Sequence, residues 1–180
     1  MSNICDTCIQ FRGDENVLTD LFNRLKPESL SKIAQSFGIS REETSAVTCD
    51  YSPFRGAVID IDKSSYRIYQ DDNWWPHVSL WTVICRKIYD DKISFVYKAE
   101  ECGCGVYINT DDSGLFFPEK IVCDYDVNNE SDVEYFCEEK EFLDWFNAKF
   151  GYDAKTIASA REFAKEDDLY MSIGEFSSTL

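Results

Sequence analysis

Asp60 and Asp62 stand two positions apart in the run GAVIDID. Alternate residues of a strand share one face. Joined by Glu100 from another strand, these carboxylates could hold Mg²⁺ for phosphodiester cleavage. The ordinary reason for such a pair is the polar outer side of a half-buried strand. Cysteines offer a second chemistry. Cys5-Asp-Thr-Cys8 is a C-x-x-C pair and Cys102-Gly-Cys104 a C-x-C pair. United by the fold, the four would make a small zinc-bearing adaptor. Zinc knuckles bring two C-x-x-C pairs at fixed separation, whereas these pairs lie about 95 residues apart and the second is one residue short. Thioredoxin-type redox work needs the C-x-x-C between a strand and a helix, and no strand is expected before position 5. Cys49, Cys85, Cys123 and Cys137 sit mostly among apolar neighbours, which suits core packing. The single histidine, His77, follows Trp75 and Pro76 and is expected at a helix start with a local hydrogen bond. No nucleophile is identified for it. There is no P-loop, and Gly103 with Gly105 is not a nucleotide fingerprint. The expectation is a protein that is not an enzyme and needs no metal or cofactor.

Charge is the stronger signal. The 180 residues carry 18 Lys and Arg against 34 Asp and Glu, a formal net charge of −16. An aromatic content of 15% excludes a disordered acidic tail. The acid surplus excludes direct attraction to DNA, RNA or anionic lipid as the main activity. No run of about 18 apolar residues is present to span a membrane. Residues 1–90 hold 13 acids and 10 bases, and residues 91–180 hold 21 and 8. Within 111–144 there are 12 acids and 2 bases. Spread over about 9,000 Å², −16 gives roughly one charge per 560 Å². Duplex DNA carries on the order of one per 100 Å². A net −10 gathered on one face of about 1,500 Å² would come close, and would draw a basic groove from long range. The residues of that face are Asp111, Asp112, Asp124, Asp126, Glu130, Asp132, Glu134, Glu138, Glu139 and Glu141. The plainer role for them is a solvated, solubilising surface.

These side chains need elements to carry them. Val17, Leu18, Leu21, Phe22 and Leu25 have helical spacing behind a capping Asp14. Leu30, Ile33, Ala34 and Phe37 make a second helix that Gly38 stops. Residues 40–55 look irregular. Ala57, Ile59 and Ile61 then alternate with Val58, Asp60 and Asp62 as a strand, with a partner through Tyr66, Ile68 and Gln70. A helix is expected over 76–88 and strands at Ile93–Tyr97, Val106–Ile108, Leu115–Tyr125 and Val133–Phe136. An acidic helix follows over 138–149, then a helix capped by Asp153 and a last strand through Leu169, Met171 and Ile173. The order predicts an α+β fold. Its expected form is an antiparallel, ferredoxin-like sheet with helices on one face and an N-terminal helical extension. The expected division is a helical segment, residues 1–50, packed on a sheet domain, residues 51–180. The start, MSNICDTCIQ, lacks the pattern of a signal peptide, and eight cysteines are too few for a disulfide scaffold. A cytoplasmic protein with reduced thiols is expected.

The stretch from Trp74 to Tyr125 resembles the YubB-type ferredoxin-like domain of plasmid and phage proteins. The residues that carry the likeness are Trp81 on its helix, Tyr97 on the next strand, and Glu100, Glu101, Gly103 and Gly105 beyond it. The resemblance implies a mobile-element origin and a ferredoxin-like sheet, and no reaction. In charge and size the chain is similar to DNA-mimicking inhibitors, anti-CRISPR proteins among them. The expected activity is to bind a basic nucleic-acid-binding host defence protein, such as a Cas effector, and to block its channel. No direct contact with nucleic acid or membrane is expected. Trp74–Trp75 is either an exposed anchor or one ring in the core and one over the helix entry.

Overall fold

The opening strand carries its pattern in its odd positions. Cys5, Thr7, Ile9 and Phe11 are buried, while Ile4, Asp6 and Arg12 are exposed. The computed structural model describes residues 3–48, 53–127, 130–166 and 169–178. The chain is α+β with antiparallel sheets and divides into two compact units, Met1–Cys104 and Gly105–Leu180.

The first unit runs β1 (Ile4–Gly13), α1 (Glu15–Arg24), α2 (Leu30–Phe37), α3 (Arg41–Thr48), β2 (Gly56–Asp62) and β3 (Arg67–Asn73). It continues with α4 (Ser79–Val83), which runs into a π-helical turn over Ile84–Ile88, and β4 (Ile93–Glu101). The strand order is β2-β3-β1-β4, and every neighbouring pair is antiparallel. Each helical crossover skips one strand: β1 to β2 passes over β3, and β3 to β4 passes over β1. The odd residues of β1 face the helices. Phe11 packs edge-on against Phe22 at 5.7 Å and Trp81 at 5.6 Å between ring centroids, a favoured aromatic geometry. Leu18, Leu21, Leu30, Ile33 and Ile68 complete that core. Asp14 accepts the amides of Asn16 and Val17 at 2.9 and 3.1 Å and starts α1. Gly38 ends α2 at φ +68°, a conformation that costs glycine little.

The second unit runs β5 (Val106–Asn109), β6 (Ile121–Val127), β7 (Glu130–Phe136), α5 (Glu139–Phe150), α6 (Ile157–Glu166) and β8 (Tyr170–Glu175). Strands β7-β6-β8 form an antiparallel sheet in that order. Ile121, Cys123 and Tyr125 of β6 pack with Phe136, Ile173 and the inner faces of α5 and α6, where Phe142 and Phe146 are fully buried. Asn147 brackets the turn between the helices: it donates to the Ala154 carbonyl at 2.9 Å and accepts the Ala154 amide at 2.7 Å.

On three outer strands a backbone group or two is taken up within the chain. On β2, Asp60 accepts the amide of Ile61 at 2.8 Å, and the Val58 amide bonds to the Glu28 carbonyl at 2.9 Å. On β7, Asp132 accepts the amide of Val133 at 2.8 Å. On β8, Arg161 Nε donates to the Ile173 carbonyl at 2.9 Å.

Several sequence expectations are corrected. Residues 1–50 are not a helical extension, because β1 lies between β3 and β4 in the sheet. The compact units therefore meet at 104/105 rather than at 50/51. Residues 41–48 are helical, opened by a reciprocal capping box in which Glu43 and Ser40 exchange bonds at 2.8 and 3.2 Å. A bulge between Val58 and Asp60 turns Val58 inward and leaves Ile59 52% exposed. The helix after Pro76 begins at Ser79, and Thr156 with Ser159, rather than Asp153, caps α6. Residues 111–120 form a loop around the Asp111 carboxylate, not the start of β6. No helix among the described residues is long and apolar enough to cross a membrane.

Candidate interaction surface

Strand alternation divides the ten predicted acids into groups. Asp124 and Asp126 lie on the side of β6 opposite Ile121, Cys123 and Tyr125, hence away from α5 and α6. The register then puts Glu130, Asp132 and Glu134 of β7 on the helix side of the sheet, opposite Val127, Tyr125 and Cys123. There Glu130 pairs with Lys149 of α5 at 2.7 Å, and Lys149 sits 4.7 Å from the Tyr125 ring centroid. Glu138, Glu139 and Glu141 cluster at the start of α5, where the helix dipole favours negative charge. Two of them also hold structure: Glu139 accepts the Ile157 amide and Glu141 the Cys137 amide, each at 3.3 Å.

Asp111 is not a surface charge. It is buried, and its carboxylate accepts the amides of Phe116 and Phe117 at 2.7 and 3.1 Å and the Ser113 hydroxyl. Burial alone would raise its pKa, but these donors outweigh it and hold the carboxyl below its ordinary value. Asp111, exposed Asp112 and Glu138 share the wall of a cavity of about 520 Å³ with Lys120, Cys137 and Phe176. The acids are thus spread over the loop, both sides of the sheet and the α5 start, rather than gathered on one face.

The two metal schemes fare differently from the acids. Asp60 and Asp62 lie on β2, and Glu100 on β4, with β3 and β1 between. Three strand spacings are about 14 Å, too far for one ion. Asp62 organises its own turn instead, accepting from Ser64 and Ser65, whose hydroxyls hold its carboxyl down at about 2. Cys5 and Cys8 are three apart on a strand, so they point to opposite faces and cannot bind one ion together. Cys5 is buried, which pushes its thiol up to about 12, and Cys104 is exposed. Among the described residues no group of three or more His, Cys, Asp or Glu is placed to hold a metal. Cys85 and Cys123 are buried as expected and Cys137 is exposed, while Cys49 lies outside the described residues.

A feature missed from sequence is the buried polar cluster beneath Trp81. Asp72 accepts the Thr7 hydroxyl at 3.0 Å, the Gln70 amide at 2.7 and 2.8 Å, and the His77 backbone amide at 3.1 Å. Trp81 Nε1 donates to Gln70 at 2.8 Å. The adjoining turn holds Trp74 at φ +70°, rare for a bulky residue, and leaves both Trp74 and Trp75 exposed. The signal available was an uncharged Gln and Thr at inward strand positions, which buried carboxylates require.

Burial pushes the Asp72 carboxyl up to about 6, against the Gln70 and His77 donors that favour its charged form. The folded state therefore binds the proton more tightly than the unfolded chain. Stability from this group is complete below about pH 4 and is lost as pH rises through about 6. In urea titrations wild type should lose stability relative to Asp72→Asn as pH rises across that window. A difference independent of pH would remove Asp72 from the account.

Comparison with protein-family models, curated proteins and solved structures finds no match to this chain.

Proposed function

We propose that the protein is an acidic inhibitor from a phage or other mobile element. In the host cytoplasm it binds a basic nucleic-acid-binding defence protein, such as a Cas effector, and blocks its channel by imitating DNA. The observation that carries the reading is the charge of the second unit: 18 acids and 6 bases in 76 residues, a net −12. A unit of that size exposes about 4,700 Å², so the mean is roughly one net charge per 400 Å². That is sparser than DNA, and the imitation rests on local groups such as the α5 start. The strand order β2-β3-β1-β4 with two strand-skipping crossovers supports the ferredoxin-like reading of the first unit.

A tagged pull-down from host lysate, washed at low and high salt, tests the reading. One basic protein released by salt, or displaced by its own DNA or RNA, is the expected result. Recovery of nothing at low salt would leave the acids as a solubilising coat. With the target in hand, Glu138→Gln/Glu139→Gln/Glu141→Gln should weaken binding by about tenfold or more. Glutamine still accepts the two amides, so the stability cost is that of the charge removed from the helix start, roughly 1–2 kcal/mol for the three, and binding must be measured well below the melting transition. Unchanged affinity would take the α5 start out of the interface.

A further inference from the structure

We infer that, on the sheet face of the second unit turned away from α5 and α6, the open end at Asp126 and Tyr170, with Asp124 alongside, holds arginine side chains of the basic partner. This rests on the reading above and adds to the α5 start a second contact, with the chemistry by which it grips the partner. The register sets Tyr170 directly beside Asp126 on one flank, and puts half-buried Asp124 between Val133 and Ser172, whose hydroxyl is taken by Tyr107 at 2.6 Å. Directly opposed residues are about 5 Å apart, and the two aspartates, alternate on one strand, about 7 Å. Tyr170 is 78% exposed and Val133 40%. Among the described residues neither aspartate forms an ion pair or a side-chain hydrogen bond.

The other side of the same strands shows what this combination does when a cation is at hand. There Lys149 lies on Glu130 at 2.7 Å while its ammonium sits 4.7 Å from the Tyr125 ring and 5.9 Å from the Trp145 ring. Carboxylate and aromatic ring together hold a cation that the chain itself supplies. The outer side repeats carboxylate and ring without one. Arginine fits best: its flat guanidinium stacks on a tyrosine face, its fork meets a carboxylate with two bonds, and its methylene stem lies along Val133.

The test uses the full chain and labelled octa-arginine and octa-lysine, titrated by anisotropy at low ionic strength. Tyr170→Ala is expected to weaken octa-arginine by about tenfold and octa-lysine by less than about threefold. Tyr170→Phe, which keeps the ring, should bind as wild type. Asp124→Asn/Asp126→Asn should weaken octa-arginine by more than about tenfold. Octa-arginine binding unchanged in both Tyr170→Ala and the double variant would overturn the inference. Equal losses for the two peptides in Tyr170→Ala would overturn the choice of arginine. In both cases the acidic-surface reading would stand. Failure of wild type to bind either peptide would instead bring down that reading itself. Thermal melts confirm folding, which an exposed Tyr170 should not disturb.

Discussion

Trp81→Ala should lower the stability of the first unit by about 4–5 kcal/mol. The side chain is fully buried and packs edge-on against Phe11, and a void of that size costs about 3–5 kcal/mol by itself. The indole N–H also satisfies Gln70, whose amide in turn holds Asp72. Removing it leaves a buried acceptor without its donor, which places the loss toward the top of that range. Trp81→Phe separates the two contributions: it keeps most of the ring volume and should cost about 2 kcal/mol. Urea unfolding followed by circular dichroism reads both. A loss below about 2 kcal/mol for Trp81→Ala would show that the core closes over the site.

Gly56→Ala should cost about 3 kcal/mol for a different reason. Gly56 pairs with Asp72 across β2 and β3. A Cβ there would lie 2.2 Å from Asp72 Oδ1 and 2.7 Å from the Asp71 carbonyl. The carboxylate has no room to step aside, because Thr7, Gln70 and the His77 amide fix it from the other directions. The added methyl must break those bonds or part the strands, and buried polar groups left unmatched are expensive. Since the two residues share one space, their effects should not add. Asp72→Ala/Gly56→Ala should be less damaging than the sum of its parts by about 1–2 kcal/mol. Simple additivity would place the strain at Asp71 instead.

Much of this architecture is legible in the residues. Helical spacing with a cap and a stop locates α1 and α2, and alternation finds β3 and β8. Other parts hide for definable reasons. In β1 the inward positions are Cys5 and Thr7 as well as Ile9 and Phe11, so the period of two is masked by residues that do not count as plainly apolar. At α3 the capping box Ser40-x-x-Glu43 was present but the helix behind it is polar. Ile59 faces outward only because one bulged residue shifts the register. The acids of the candidate surface were identifiable by type and position. Their sides were not, because the register of β6 against β7 decides which carboxylates look toward α5. Asp111 is the clearest case. As a symbol it is one more negative charge, while in space it is the hub of a loop.

The partly closed strand edges carry a consequence for how such a protein can be kept at high concentration. An open edge invites another chain to extend the sheet, and repeated extension is fibril growth. Here β2, β7 and β8 each have a backbone donor or acceptor already claimed by Asp60, Asp132 or Arg161. Asp132 is also among the acids assigned to partner attraction. Charge and seal are therefore one substitution apart, and a variant made to weaken partner attraction at that position would also free an edge amide for pairing with another chain.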